Sequence, residues 1–177
     1  MSKEKANDNK LKRIIYEYLP YVILAILVLL FKKFVFSPIK VNGSSMEKTL
    51  YDGDIMILNI IGYRFNKIKR YDIVVVKVEN RTSHEFIIKR VIGLPGEEIE
   101  YKNNVLYVNG KEMKNNYATG NTEDFKIVVP EGKYFVLGDN RENSIDSRVF
   151  GPFEEDNILG KTHLILFPFD RAGKKEW

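Results

Sequence analysis

The sequence contains no cysteine. That excludes disulfides, thiolate metal sites and a cysteine nucleophile together, and leaves the compartment open. Histidine is scarce too, with only His84 and His163. Two imidazoles are too few for a zinc site built on several histidines, and a Ser-His-Asp triad has just two candidates for its base. Charge of one sign is not concentrated. The net charge is +4, Lys and Arg are spread along the chain, and no long basic run marks a nucleic-acid surface. No internal repeat is present. With 29% charged and 44% hydrophobic residues the composition is that of a folded chain rather than a disordered one.

The 177 residues suit one domain plus an anchor. Residues 1–18 begin polar, with Lys3, Lys5, Lys10, Lys12 and Arg13 against Glu4 and Asp8. An uncharged block follows from Leu19 to Phe31, and apolar character resumes after Lys32 and Lys33 at Phe34-Val35-Phe36. A spanning helix needs roughly 20 mostly apolar residues, and the two lysines can snorkel to headgroups. Residues 19–36 therefore read as one transmembrane helix. Two other readings compete with it. A cleavable signal peptide would end in a small-x-small site, but Ser37-Pro38-Ile39-Lys40 follows. A buried core helix would keep a polar face, and Tyr21–Phe31 has none. The basic N-terminus places residues 1–18 in the cytoplasm and 37–177 outside it. Lys32, Lys33 and Lys40 on the other flank pull against that orientation.

Beyond Pro38 the pattern alternates. The segments starting at Asp54, Asp72, Phe86 and Lys133 are rich in β-branched and aromatic residues and bounded by Gly, Asp or Pro, as strands are. Shorter strands are expected around Glu98–Tyr101 and Val105–Val108, with turns at Asn103-Asn104 and Asn109-Gly110. Residues 112–127, polar and Asn-rich, read as a surface loop. The expected class is mostly β, with one N-terminal transmembrane helix.

Three segments hold residues suited to chemistry. Gly43-Ser44-Ser45-Met46-Glu47-Lys48-Thr49-Leu50 sets two serines beside a glycine, in a backbone able to expose a hydroxyl and aim N–H groups at an oxyanion. The bland reading is an ordinary loop. In Phe86–Gly96, strand alternation puts Lys89 on one face with Ile87 and Val91. Aliphatic surroundings lower a lysine's pKa, and a neutral amine can take a proton from a serine. The bland reading is a solvated lysine, with Arg90 the buried or paired one. Gly138–Arg148 is dense in Asn, Ser, Asp and Arg after a hydrophobic strand. It reads either as a turn with a solvated loop or as a self-satisfying polar network, with Asp146 and Arg148 able to pair and Ser144 able to orient an amine.

In this order the three segments resemble the boxes of bacterial type I signal peptidases, a family of Ser/Lys proteases. Ser45-Met46 with Thr49-Leu50 matches the serine box, and Lys89 to Glu97 matches the lysine box. Gly138-Asp139-Asn140-Arg141, Asn143-Ser144 and Asp146-Ser147-Arg148 match the last. The resemblance runs from the N-terminal segment to about Phe169. It implies a coiled, antiparallel β catalytic domain working close to the membrane surface. It also implies Ser45 as nucleophile, with its N–H as one oxyanion donor, and Lys89 as general base. Ser144 would help orient the lysine, and Asp146 and Arg148 would be a structural pair. Ile39, Val41, Leu50 and Ile88 would line shallow pockets for small side chains. The implied reaction removes signal peptides from exported preproteins after Ala-x-Ala type sequences. It needs no metal or cofactor and involves membrane lipid, possible contact with the secretion machinery, and no nucleic acid.

The chain departs from the family pattern where Lys48 replaces the usual Pro and where Gly43 stands in place of the second oxyanion hydroxyl of some members. From this pattern Lys48→Ala and Lys48→Pro are both expected to be mild. Three rival readings remain. Ser45-Met46-Glu47-Lys48 fits the Ser-x-x-Lys of penicillin-binding proteins and β-lactamases, but no Ser-Asp-Asn or Lys-Thr-Gly accompanies it. Self-cleaving repressors share a Ser/Lys domain but carry a DNA-binding part in front. A tethered, non-catalytic β scaffold explains the fold but not Lys89 together with Ser45.

Overall fold

Period-two alternation of apolar side chains organises the chain after residue 36. The computed structural model describes residues 13, 15–29, 36–60, 66–79 and 84–174. Residues 15–29 form a helix, α1, exposed along its length. Among the described residues no helix is long and apolar enough to cross a membrane. The expected span, 19–36, runs on into 30–35, which lie outside the described residues.

The rest is mostly β. One sheet joins β1 (Phe36–Lys40), β2 (Ile55–Asn59), β11 (Ile158–Phe167), β3 (Ile73–Glu79), β4 (His84–Gly93), β9 (Lys133–Leu137) and β10 (Phe153–Glu154) in that order, with β12 (Gly173–Lys174) against β11. A second sheet runs β7 (Lys111–Met113), β6 (Val105–Val108), β5 (Glu98–Lys102) and β8 (Phe125–Val128). The strand pairs are antiparallel. The mostly β class expected from the sequence is thus built as two sheets. The expected loop at 112–127 also carries structure. Its end enters β8, and Thr119 bridges to Asn140.

Strand β4 positions the site. It pairs with β3 on one side, where Val74 faces Lys89 and Ile73 faces Arg90, and with β9 on the other, where Leu137 faces Arg90 and Val136 faces Val91. Alternation divides its side chains between two buried layers. Ile87 and Val91 pack with Val74, Val76 and Val136, while Ile92 packs with Ile99, Leu106, Phe135 and Leu137. A third cluster, Val41, Met46, Leu50, Met56, Ile73 and Ile165, seats the segment after β1. Both faces of β4 are covered, so Lys89 and Arg90 are both buried.

Candidate active site

Ser45 opens a turn anchored by its apolar neighbours. Met46 and Leu50 are buried in the third cluster, and Leu50 N–H donates to Met46 O at 2.8 Å. Gly43, ahead of the turn, has φ +82° and donates its N–H to Asp52 Oδ1 at 2.8 Å, a conformation that glycine takes without strain. The Ser45 hydroxyl accepts a hydrogen bond from Lys89 Nζ at 2.7 Å. Lys89 is only 3% exposed. Burial lowers its pKa to about 8, against the opposing pull of Asp146 and Asp139 and with some help from Arg148. A hydroxyl in contact with an amine that is partly neutral near pH 8 can lose its proton to that amine.

The residues after β9 close the site from behind. Gly138 follows β9, where a Cβ would lie 2.2 Å from Ser144 Oγ and 2.5 Å from Ser45 O, so only glycine allows this approach. Asn140 donates its N–H to Ser45 O at 3.1 Å and its side-chain Nδ2 to Ser44 O at 3.2 Å. Asp146 is fully buried and caps the short helix α2 (Ser147–Phe150). Its carboxylate accepts from Gly138 N–H at 3.0 Å and from Arg148 Nε and Nη2, both at 2.9 Å. Burial alone would raise its pKa, but the hydrogen bonds from Arg148 and Gly138 hold it below the ordinary value. Arg148 also donates to Arg141 O and Ser144 O, and so fastens the loop that carries Ser144.

Not every expected residue sits where the resemblance put it. Ser144 Oγ is buried, with no partner in hydrogen-bonding geometry among the described residues. It lies close enough to Asp146 to help lower that carboxyl's pKa, but it makes no hydrogen bond to Lys89, whose amine is turned to Ser45. A cleft of about 90 Å³ at the site is lined by Val41, Ile88, Asn42, Met46, Ser45 and Lys89, together with Lys40, Phe86 and Ile87. Leu50 does not line it, because its side chain is wholly buried in the cluster beneath. Ile39 packs against the same cluster. A larger cavity, about 570 Å³, touches Ser144, Arg148, Phe125 and Phe135 but neither Ser45 nor Lys89.

Lys48 corrects a sequence expectation. Its φ is +81°, and its amine reaches Asn116 O at 3.5 Å, away from Ser45. Proline fixes φ near −65° and cannot take that conformation. We expect Lys48→Gly to stabilise the protein by about 1 kcal/mol by removing the left-handed penalty. Lys48→Ala should keep most activity, whereas Lys48→Pro should distort the serine turn and lower both stability and turnover. Urea unfolding and initial rates for the three variants check this, and a Lys48→Pro protein matching the parent in both would contradict it.

A network of buried side chains holds the segments together. Arg90 and Asp139 form a fully buried pair, with Nε to Oδ1 at 2.8 Å and Nη2 to Oδ2 at 2.6 Å. The Thr49 hydroxyl also donates to Asp139, and Tyr117 lays its ring 3.9 Å from the Arg90 guanidinium. Arg171 grips both carboxylate oxygens of buried Asp54 at 2.8 and 2.9 Å and donates to Thr49 O at 3.1 Å. The dense run of polar residues from Gly138 and the reading of Arg90 as buried or paired were sequence signals for part of this network.

The model of the family described as signal peptidase, peptidase S26, matches residues 13–167. Signal peptidase IB of Staphylococcus aureus (strain COL) is 37% identical, over 90% of this chain and 93% of that protein. Signal peptidase I of Bacillus amyloliquefaciens is 37% identical, over 98% and 99%. A crystal structure of a signal peptidase I from Enterococcus faecalis aligns with a TM-score of 0.48 and 36% identity, covering 54% of this chain and 97% of that one. The protein is a serine peptidase. It belongs to the signal peptidase family, peptidase S26.

Proposed function

We propose that this chain is a membrane-tethered endopeptidase that removes N-terminal signal peptides from exported preproteins, with Ser45 as nucleophile and Lys89 as general base. The observation that carries the reading is the 2.7 Å contact between Lys89 Nζ and Ser45 Oγ, made by an amine that burial holds near pKa 8. Neutral Lys89 takes the hydroxyl proton as Oγ bonds to the scissile carbonyl carbon. The carbonyl oxygen becomes an oxyanion beside the Ser45 N–H, which donates to no group among the described residues. Lys89 then passes the proton to the leaving amine, and the peptide bond breaks to give an acyl-enzyme. A water that gives its proton to Lys89 attacks the ester, and collapse of the second oxyanion returns the proton to Ser45.

The small cleft beside Ser45, walled by Val41, Ile88 and Met46, has room for side chains the size of alanine. This supports cleavage after Ala-x-Ala type sequences. The apolar run 19–36 supplies the anchor, with the N-terminus cytoplasmic and 37–177 outside. It holds the enzyme where a preprotein's own apolar segment is embedded and adds effective concentration rather than chemistry.

The test is cleavage of a reporter preprotein in lipid by the full chain. Ser45→Ala should be inactive with an unchanged circular dichroism spectrum, while Ser44→Ala should retain activity. The reverse result would move the nucleophile by one residue.

A further inference from the structure

We infer that Asn140 is a positioning residue that aims the oxyanion-binding N–H of Ser45. This inference rests on the reading of Ser45 as nucleophile. The Ser44 carbonyl and the Ser45 N–H belong to one peptide unit, and in a planar trans peptide they point in opposite directions. Whatever fixes the carbonyl therefore fixes the N–H. Ser44 O is held by the Asn140 side chain, Nδ2 at 3.2 Å, and by Glu47 N–H at 3.1 Å. The next peptide unit is held from the same residue, because Asn140 N–H donates to Ser45 O at 3.1 Å. Two donors of one residue thus grip both carbonyls that flank the Ser45 Cα. They leave the Ser45 N–H aimed away from Asn140 with no acceptor among the described residues.

Asn140 is itself held rigidly. It follows Asp139, whose carboxylate is locked by Arg90, and it bridges to Thr119 through the Asp139 and Arg141 backbones. The glycine at 138 lets this segment come within contact of Ser45 O. No group of Asn140 reaches Lys89, so its removal acts on the oxyanion side of the reaction and leaves the base alone. A group that stabilises only the transition state lowers kcat when lost and leaves KM in place.

The experiment uses the full chain in lipid with a reporter preprotein, comparing Asn140→Leu, close in shape, and Asn140→Ala, smaller. Both should lower kcat by about 10- to 100-fold, the scale of a weakened oxyanion donor, with KM within about threefold of the parent. The midpoint of the rate–pH curve should stay where the parent has it. A substrate-like peptide aldehyde is a second readout. Ser45 Oγ adds to its carbonyl carbon, the C=O bond opens to an oxyanion, and the hydroxyl proton goes to Lys89. Its affinity should fall in parallel with kcat, while a non-reactive peptide amide of the same sequence binds as before. Unchanged kcat in either variant overturns the inference, as does a loss that appears in KM or as a displaced pH midpoint. Ser45→Ala in the same assay separates the two levels. Activity in Ser45→Ala sinks the nucleophile assignment itself, whereas a dead Ser45→Ala beside a fully active Asn140→Leu sinks only the role of Asn140.

Discussion

Lys89→Met should be inactive and yet more stable than the parent at neutral pH. The lysine titrates near 8 in the fold against 10.5 for a free side chain. Between these values the unfolded chain binds more protons than the folded one, so stability rises with pH across that window. Below about pH 8 the whole penalty for charging a buried amine is present, and above 10.5 it is gone. The difference between the two values corresponds to about 3 kcal/mol. Losing the hydrogen bond to Ser45 takes back about 1 kcal/mol, which leaves a net gain of about 2 kcal/mol at pH 7 that fades toward pH 10. In the parent, cleavage should climb with pH through a midpoint near 8, as neutral amine accumulates. Lys89→Arg should also be dead, since its guanidinium stays protonated. Urea unfolding at pH 7 and pH 10, run beside initial rates, checks both halves. A Lys89→Met protein that cleaves, or that is less stable at pH 7 than at pH 10 relative to the parent, would overturn this account.

Asp139→Leu should cost about 3–5 kcal/mol, because it leaves the buried Arg90 guanidinium without its carboxylate. The pair has no solvent exposure on either side chain, so water cannot replace the lost charge. Arg90 would keep, among others, the Tyr71 carbonyl at 3.0 Å, the Thr49 hydroxyl at 3.2 Å and the Tyr117 ring, none of which carries a full negative charge. The double variant Arg90→Met/Asp139→Leu removes both charges and should recover most of the stability. Its activity should stay low, because Asp139 also receives the Thr49 hydroxyl and sets the segment that holds Ser45. A double-mutant cycle by urea unfolding measures the coupling, expected at about 2–3 kcal/mol. A single Asp139→Leu variant within about 1 kcal/mol of the parent would show that the pair does not hold the boxes together.

Strand alternation was enough to place Lys89 on the same face as Ile87 and Val91, because a period of two depends only on local spacing. It could not say that Arg90, one residue on, is buried as well. That follows from a second layer covering the opposite face of β4, a matter of which strands come to lie there. The partners of Asp139, Asn140 and Arg171 were hidden for a related reason: each acts on the serine turn from far along the chain. Residues 112–127 looked like a solvated loop by composition, yet Tyr117 packs its ring on Arg90 and Phe125 starts a strand. The left-handed backbone at Lys48 carried no signal at all, since lysine has no preference for it.

Sequence separation also bears on when the enzyme becomes a hazard to other proteins. Ser45 and Lys89 are 44 positions apart, Ser44 and Asn140 are 96 apart, and Thr49 and Arg171 are 122 apart. Contacts this distant form slowly, because the loops between them must close first. A chain emerging from its N-terminus therefore exposes Ser45 and Lys89 long before the segment after β9 can dock on the serine turn. Until Lys89 is buried its amine is solvated and protonated at neutral pH. On the proposed Ser45/Lys89 mechanism, proteolytic power is withheld from the nascent chain, and its first appearance during refolding should time the burial of Lys89 rather than the initial collapse.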